Sequence, residues 1–522
     1  MMNKNKQGLL LLVTFLVVSV NIGFSQTQQK KEKDFEIVGF HLDLRIQVMK
    51  PKALRELVDE LAYFGVNTLI MEWEGTFPFQ TNPVIANKYA YTKEEIKDFI
   101  AYCGQKNIEV IPLQQSLGHL EYVLRNYRYA EQREDQKDVS QVCPMEFALN
   151  KKLFTELITE MAEIHPSKYF HIGGDEAYLL GHCDKCKEKI AKSGKAALLA
   201  DHLKMITDIV VSLGKIPVIW SDIATSYPGE LNKLPKETIF IVWNYGWDVD
   251  RFGIVNELTK KGFEVWGSPA LRSNPDNYFL TDWKNHFDNI KDFIPFCRES
   301  NYNGVVMTSW STSGIYSPVF EDHHTITDLV PVRRVYPLSG FRILLAAYSQ
   351  SMQQTAPLNA KRFIVSYAEK RFGFNKRESR EFYRALLGSP YQVINGEVEN
   401  HSELTVPMLY DSVKGYQMVF NKLRPERNQK EFEHIRLMKD IRENYMHFKK
   451  VEGRVNSDSF TKAMFPQVIS ELAEIIKKYD SLGQRYTNLN SGYLYPEAID
   501  EENYTRTVPV KILYERLKGQ KK

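Results

Sequence analysis

The chain has 522 residues, far more than a typical domain of about 100–200, so its length favours one large barrel-type domain with an additional part. Hydrophobic residues make up 43% of the sequence, charged residues 25% and aromatic residues 12%, which is ordinary globular usage. This composition excludes a disordered, collagen-like or multi-spanning membrane protein. With 68 Lys and Arg against 65 Asp and Glu, the formal charge is +3, and so small a charge argues against nucleic acid as a partner.

The first 25 residues have the pattern of a secretory signal peptide. Two lysines precede a nearly continuous apolar run at 9–20, and small residues follow it. A run of about 12 apolar residues is shorter than the ~20 that cross a bilayer, so an uncleaved anchor is the less favoured alternative. We therefore expect a signal peptide at 1–25, cleaved near Ser25, and a linker at 26–35. The mature protein is expected to be periplasmic or secreted, with no stable membrane span after processing.

From residue 36, short apolar runs alternate with amphipathic stretches, which is the pattern of strand–helix units in a parallel sheet. The predicted strands are Ile37–Asp43, Thr68–Glu72, Glu109–Leu113, Tyr169–Gly173, Pro217–Trp220, Ile239–Trp243, Glu264–Gly267 and Gly304–Ser309. Eight such units over roughly 310 residues predict an α/β fold, a (β/α)8 TIM barrel at 36–350. An open doubly wound sheet is the alternative, although no Gly-rich phosphate loop follows the first strand.

The sequence changes character at about residue 351, beyond which helical patterns with dense charge dominate. Strand-like alternation is nearly absent until Thr507–Leu513. We expect a mostly helical C-terminal domain at 351–522, packed beside the barrel with its charged faces in solvent.

Polar and aromatic residues gather at the predicted strand ends, where a barrel of this type carries its active site. Four of the seven tryptophans fall at the last four strand ends, whereas a single one there would more simply be core packing. Sugars bind between such walls because their C–H faces stack on aromatic rings while their hydroxyls bind carboxylates and amides. The candidate substrate-binding residues at these ends are Asp43, His119, Trp220, Asp222, Trp243, Tyr245 and Trp310.

The fourth strand carries the sharpest signal, the segment Tyr169-Phe-His-Ile-Gly-Gly-Asp-Glu176. Its glycines permit an irregular turn after a buried strand, and the adjacent carboxylates Asp175 and Glu176 follow. Because neighbouring anions repel, we expect one carboxyl pKa to rise while the other stays low, which provides a protonated donor beside an ionised group. A solvated pair that caps the next helix is the alternative. The glycines, the strand-end position and the aromatic surroundings favour catalysis.

Five cysteines are too few, and odd in number, for a disulfide framework in an exported chain of this length. Their one pattern is Cys183-Asp-Lys-Cys186, for which we expect a local disulfide or free thiols. Structural zinc is the alternative, and Cys143 could supply either a disulfide partner or a third thiolate. The sequence has no His-x-His pair or other metal-spaced histidines, so we expect no catalytic metal and no cofactor.

The segment His171–Gly181 resembles the His-x-Gly-Gly-Asp-Glu signature of glycoside hydrolase family 20, the β-N-acetylhexosaminidases. The similarity covers most of 36–347 at the level of strand order and strand-end residues. Leu117-Gly-His119 resembles the Gly-His element of the family. The similarity is closest to the hexosaminidase D branch, in the segments His41-Leu-Asp-Leu44, Met71-Glu-Trp-Glu-Gly-Thr-Phe-Pro78 and Gly118-His-Leu-Glu-Tyr-Val-Leu124.

The resemblance implies an exo-acting, retaining enzyme that removes terminal β-linked N-acetylhexosamine from oligosaccharides or glycoconjugates. In this family the acetamide of the substrate acts as the nucleophile. The resemblance makes Glu176 the general acid and base, while Asp175 orients the acetamide and stabilises the oxazolinium intermediate. His119 and His171 would orient these groups. The family's sugar-enclosing residues would be Trp220, Trp243 and Trp310, and Tyr245 or Tyr278 would bind the acetamide oxygen.

The sequence departs from the family on the first strand, where an Arg-Gly pair usually supplies an arginine that holds the 3- and 4-hydroxyls of the sugar. Here that place is Val38-Gly39, so the arginine is missing or is replaced by Asp43 or His41. The choice between GlcNAc and GalNAc is therefore open.

Two other functions compete with this interpretation. A metal-dependent barrel hydrolase would use His41, Asp43, His119 and His171, but His41-Leu-Asp43 is not the His-x-His that such sites favour. A non-catalytic sugar-binding barrel would not need both carboxylates of the fourth strand.

Overall fold

The computed structural model describes residues 35–249, 255–273, 276–277, 279–312, 316–318, 329–331 and 334–520. The expected signal peptide at 1–25 and nearly all of the expected linker lie outside these residues, as does Tyr278. One compact unit begins at Phe35 and includes both the strands and the C-terminal helices. Over the residues that are described, we find no helix with the length and apolar character needed to cross a membrane.

Eight parallel strands close into a barrel. The strands are β1 Ile37–Asp43, β2 Thr68–Glu72, β3 Glu109–Leu113, β4 Tyr169–His171, β5 Ile216–Trp220, β6 Ile239–Trp243, β7 Glu264–Ser268, β8 Ala270–Arg272 and β9 Gly304–Ser309. β1 to β6 each pair with the next strand in the chain, β7 pairs with β9, and β9 pairs with β1. The short strand β8 lies beside β9, outside this cycle of eight. The predicted (β/α)8 barrel is confirmed, and an open sheet is excluded by the β1–β9 pairing.

Helices fill the connections between the barrel strands. These are α1 Pro51–Tyr63, α2 Lys93–Gln105, α3 Glu121–Leu124, α4 Phe147–Ile164, α5 Asp184–Ser212, α6 Asp222–Ser226, α7 Val255–Lys260 and α8 Trp283–Glu299. Pro51 is the first residue of α1, a position where its missing N–H costs nothing, and Thr92 with Glu95 forms a capping box on α2. α5 continues through a kink at Gly194, whose φ is 85°.

Two apolar layers build the barrel. Inside it, alternate strand residues such as Ile70, Ile111, Val218 and Ile241 form one buried cluster. Their neighbours along the strands point outward and pack against the helices in a second, larger cluster. Because the interior is filled by side chains, substrate can reach only the ends of the barrel.

The chain beyond the barrel is helical, as predicted. Its helices are α9 Arg342–Met352, α10 Ala360–Tyr367, α11 Lys376–Leu387, α12 Val406–Lys422, α13 Gln429–Val455, α14 Phe465–Asn490 and α15 Pro496–Gly519. Two short strands, β10 Tyr316–Pro318 and β11 Leu329–Pro331, precede α9, and two more, β12 Val393–Ile394 and β13 Glu397–Val398, lie between α11 and α12. The strand-like alternation at Thr507–Leu513 is misleading, since this segment lies within α15. The hydroxyl of Tyr348 in α9 lies 2.7 Å from the carbonyl oxygen of Val305, which ties this region to the barrel. A separate domain beginning at 351 stays a prediction.

Candidate active site

The turn after β4 presents two carboxylates at the C-terminal end of the barrel. β4 ends at His171, two residues before the predicted Gly173, because Gly173 and Gly174 have φ of 68° and 91°, which a strand does not allow. A Cβ on Gly173 would lie 1.9 Å from Oε1 of Gln115, so a side chain there would collide with the loop after β3. The turn then places Asp175 and Glu176 side by side, with Asp175 buried and the Glu176 side chain 30% exposed.

His119 joins the two carboxylates. Its Nε2 lies 3.3 Å from Oδ2 of Asp175 and 3.3 Å from Oε2 of Glu176. The backbone of this loop comes close enough because residue 118 is glycine: a Cβ there would be 2.9 Å from the carbonyl oxygen of Asp175. His119 itself has a φ of 56°, in the left-handed region. The Gly-His pair after β3 and the Asp-Glu pair after β4 therefore form one structural unit.

The pKa shifts of His119 and Glu176 differ from those expected from the sequence. Burial pushes the pKa of Glu176 upward, but the hydrogen bond and charge of His119 outweigh it, so the pKa is lowered overall. For His119, burial lowers the pKa, yet the neighbouring Asp175 and Glu176 raise it well above its usual value. The expected rise of a carboxyl pKa is not found at Glu176, because the imidazolium supplies the compensating charge. Both shifts favour the proton on His119 over Glu176.

Asp222 supports the same turn from β5. Its Oδ1 accepts a hydrogen bond from the backbone N–H of Glu176 at 3.1 Å, and its Oδ2 accepts one from Nε1 of Trp243 at 2.8 Å. Burial, together with repulsion from Asp175, raises the pKa of Asp222 to about 7. Asp222 is thus a carboxyl with a raised pKa at this site, and it positions both the backbone of Glu176 and the ring of Trp243.

Three predicted aromatic residues form a connected set with Tyr245. The ring centres of Trp220 and Trp310 are 6.0 Å apart, and those of Trp243 and Tyr245 are 5.2 Å apart. Nε1 of Trp310 donates to the Tyr245 hydroxyl at 2.9 Å, which joins the two pairs. Trp266 is the exception among the tryptophans of the last four strands. It lies in mid-strand and packs edge-on against Tyr169 inside the barrel, so it belongs to the core.

His171 lies behind this site and is fully buried. Its Nδ1 accepts the backbone N–H of Gly173 at 3.0 Å, and its ring packs 4.6 Å from that of Trp220. Burial lowers the pKa of His171 to about 3, so it is neutral and holds the turn without titrating near neutral pH.

Comparison with known protein families identifies the family of this chain. The family described as "Glycosyl hydrolase family 20, catalytic domain" matches residues 35–315, more than half of the chain. The chain belongs to glycosyl hydrolase family 20. The resemblance inferred from the His171–Gly181 segment is therefore confirmed.

The similar proteins include hexosaminidase D from two mammals. The chain is 26% identical to bovine hexosaminidase D over 298 residues, which is 54% of this chain and 86% of the bovine protein. It is 26% identical to human hexosaminidase D over 305 residues, which is 55% of this chain and 62% of the human protein. A crystal structure of a β-N-acetylhexosaminidase from Bacteroides fragilis superposes with a TM-score of 0.49 and 17% identity, covering 65% of this chain and 70% of that one.

In this family 20 domain, Arg45 forms a buried ion network whose role the sequence did not reveal. Nε of Arg45 donates to Glu74 at 2.8 Å and Nη2 donates to Glu72 at 2.9 Å, while its guanidinium lies 5.7 Å from the Trp310 ring centre. Burial raises the pKa of Glu72, but Arg45 and His41 lower it more, so the pKa is held well below its usual range. The sequence did show that Arg45, Glu72 and Glu74 lie at or just after the ends of the first two strands. It did not show that these three side chains would form ion pairs with one another.

Asp43 and His41, the two residues considered as replacements for the missing arginine, already bind other groups of the protein. Asp43 has no exposed surface: its carboxylate accepts hydrogen bonds from the backbone N–H of Arg45 at 2.7 Å and from the N–H of Ser311 at 2.9 Å. His41 contacts Glu72 through Nε2 at 2.9 Å. In the structure both residues position the loops at the strand ends, and contact of Asp43 with a sugar stays a prediction.

These contacts also bear on the competing metal-dependent hydrolase. Three of its four residues make other contacts: His41 with Glu72, Asp43 with Ser311 and His171 with the N–H of Gly173. Within the described part of the chain, only His119 of the four belongs to a cluster with metal-ligand atoms, and that cluster is the unit with Asp175 and Glu176.

Proposed function

We propose that this chain is an exo-acting, retaining β-N-acetylhexosaminidase that releases terminal GlcNAc or GalNAc by substrate-assisted catalysis. One observation carries the proposal: Asp175 and Glu176 both contact the same nitrogen of His119. A shared imidazole keeps the two carboxylates on one side of the site.

The spacing of the carboxylates supports this mechanism over the alternatives. The nearest Asp175 and Glu176 oxygens lie within 4.8 Å of each other, whereas an inverting pair stands about 6.5–9.5 Å apart to admit a water molecule. A conventional retaining pair is about 5–5.5 Å apart but flanks the scissile bond from both sides. Two adjacent carboxylates on one imidazole leave no space for a sugar ring between them. The nucleophile must then come from elsewhere, and the 2-acetamido group of the substrate can supply it.

The proposed reaction assigns a different task to each carboxylate. The carbonyl oxygen of the acetamide attacks the anomeric carbon as the bond to the leaving oxygen breaks and Glu176 gives that oxygen a proton. Asp175 accepts the acetamide N–H and stabilises the positive charge of the oxazolinium ring that forms. In the second step Glu176 removes a proton from water, which opens the ring and returns the β-configured sugar.

The proton for the first step comes from the His119–Glu176 pair. In the free protein this proton lies on His119, because the pKa of His119 is raised and that of Glu176 is lowered. Transfer over the 3.3 Å between them would place it on Glu176 when the leaving oxygen develops negative charge. His119 is thus a positioning and proton-holding residue in this proposal.

The aromatic residues would press the acetamide against the anomeric carbon. Tyr245, held by Trp310, has its hydroxyl at the site and is the candidate donor to the acetamide oxygen. Trp243 is fixed by Asp222 and would form a wall of the pocket. Their contribution is effective molarity, because they hold the nucleophile close to the carbon that it attacks.

A panel of nitrophenyl glycosides tests the nucleophile. We expect turnover of the N-acetylglucosaminide or N-acetylgalactosaminide, almost none of the glucoside and galactoside, and strong inhibition by a thiazoline analogue of the oxazolinium ring. Comparable rates on the glucoside and the N-acetylglucosaminide, without thiazoline inhibition, would refute substrate assistance. Absence of turnover on the whole panel would instead favour the sugar-binding barrel.

The Glu176→Gln variant tests the acid. Hydrolysis of a disaccharide should fall by roughly 10²–10⁴-fold, because its leaving oxygen needs a proton, and the loss should be smaller for nitrophenolate, which leaves without one. Near-normal turnover of the disaccharide by this variant would contradict the assignment.

A further inference from the structure

A second cluster of reactive side chains lies in the two loops that carry the catalytic residues. Glu134 and Cys143 come from the loop after β3, and Cys183 and Cys186 follow the catalytic turn after β4. Sγ of Cys143 is 3.3 Å from Sγ of Cys183 and 3.6 Å from Sγ of Cys186, and all three are free thiols. The fourth group, Oε2 of Glu134, lies 3.3 Å from Sγ of Cys186.

We propose that these four residues bind a structural zinc ion. Three sulfur ligands and one carboxylate oxygen fill the tetrahedral set that closed zinc sites use. With Zn–S bonds of about 2.3 Å, tetrahedral ligands stand about 3.8 Å apart, so sulfurs at 3.3 and 3.6 Å need to separate by only a few tenths of an ångström to admit the ion. On binding, each of the three thiols loses its proton to solvent and gives its sulfur electron pair to zinc, with no change in oxidation state.

The backbone around the cluster is arranged for thiolate ligands. Cys183 is the N-cap of α5, and its sulfur accepts the N–H of Cys186 at 3.3 Å, a contact that favours a charged sulfur. Oε1 of Glu134 accepts the N–H of His182 at 2.6 Å and that of Cys183 at 2.9 Å. The carboxylate is therefore fixed in place, with its other oxygen directed into the cluster.

A disulfide accounts for these residues less well than zinc does. It would join two of the three sulfurs and leave the third beside the buried carboxylate of Glu134. Cys143 is almost equally distant from Cys183 and Cys186, so the structure favours neither pairing. A divalent cation uses all four groups and neutralises two of the four negative charges that they carry as ligands.

The position of the site gives the metal a specific task. Cys143 lies on the β3 loop that also carries His119, and the neighbouring Val142 bonds to Leu117 through its N–H at 3.1 Å. Cys183 follows Glu176 by seven residues on the catalytic turn. Zinc would join the two loops at their far ends, while His119 joins them at the carboxylates. The metal therefore positions the loops and takes no part in the chemistry.

Metal content of the purified full-length mature protein tests the proposal directly. We expect about one zinc ion per chain by elemental analysis, and we expect Co²⁺, exchanged for zinc, to give the absorption bands of a tetrahedral thiolate site. Cys143→Ser and Cys183→Ser should lose most of the metal. Cys103→Ala, which removes a buried thiol outside the cluster, should keep it.

A second control separates this site from the active site. Glu176→Gln should keep its full zinc content, whereas a metal held by His119, Asp175 and Glu176 would be lost in that variant. If the serine variants do not fold, the cobalt spectrum of the wild-type protein decides, because it requires sulfur ligands. A native mass lower by two hydrogens with no bound metal, or zinc retained by folded Cys143→Ser and Cys183→Ser variants, would overturn the proposal.

Discussion

Replacing His119 tests whether one imidazole controls both carboxylates. Asn is the informative substitution, because the φ of 56° at this position suits asparagine and the loop can keep its path. Asparagine cannot hold the proton that His119 shares with Glu176. The change thus removes a charge and two contacts while leaving both carboxylates in the chain.

The size of the effect follows from the two contacts. A hydrogen bond to a charged group contributes about 1.5–3 kcal/mol, and distances of 3.3 Å place both contacts at the weak end of that range. Losing both should cost about 3 kcal/mol in the transition state, which corresponds to a fall in kcat/KM of roughly 10²-fold at neutral pH.

The pH profile separates a proton-holding role from a purely structural one. In the wild type the pair loses its last proton at the pKa of His119, which is raised well above 6.5, so the alkaline limb of kcat/KM should lie well above that pH. In His119→Asn the lowering influence on Glu176 is gone and burial raises its pKa, but the proton now leaves at the pKa of a carboxyl. The alkaline limb should therefore move to lower pH.

The measurement is kcat/KM for a nitrophenyl N-acetylglucosaminide as a function of pH, for the wild type and for His119→Asn. His447→Asn is the control, because it changes a histidine in α13, far from β4 in sequence. The control should reproduce the wild-type profile. If folded His119→Asn keeps both the wild-type rate and the position of the alkaline limb, the coupling of His119 to Glu176 is refuted.

Three further predictions follow from the site and the N-terminus. Asp175→Asn should lower kcat for the N-acetyl substrate by roughly 10²–10³-fold and weaken thiazoline binding; unchanged thiazoline affinity would contradict its role. Gly118→Ala should lower kcat at least tenfold, because its Cβ would be 2.9 Å from the Asp175 carbonyl oxygen, whereas Gly104→Ala, with open space, should be neutral. We also propose export with cleavage near Ser25; N-terminal sequencing that finds an intact Met1 would contradict it.

Much of the fold could be predicted because its signals are local. A barrel strand such as Ile239–Trp243 is buried on both faces, so it reads as a short apolar run bounded by polar residues. The carboxyl ends of parallel strands meet at one end of the barrel, and strand order alone therefore placed Asp175, His119 and Asp222 near one another. The contacts of His119 with Asp175 and of Asp222 with Glu176 agree with that expectation.

The parts that the sequence did not reveal depend on contacts between distant residues. Trp266 was expected at a strand end, but its register against β9 sets it inside the barrel. The ion network of Arg45 requires knowing that β1 and β2 are neighbours and that both loops turn toward each other. The pKa shifts likewise depend on which charge is nearest, and adjacency in sequence suggested Asp175 for Glu176 when the structure provides His119.

The distribution of protons at the site explains how adjacent carboxylates can share it. Burial raises the pKa of Asp222 to about 7 while its carboxylate accepts the Glu176 N–H, so the raised carboxyl pKa that the sequence suggested for the adjacent pair is found at Asp222. His119 lies between Asp175 and Glu176, and both carboxylates raise its pKa. When the N–H of an acetamide binds Asp175, that carboxylate has less charge to offer the imidazolium, and the proton of His119 is left facing Glu176 alone. On the proposed mechanism, substrate binding would therefore itself prepare the acid, and a lowered pKa of Glu176 in the free protein is compatible with the proton-donor role proposed for it.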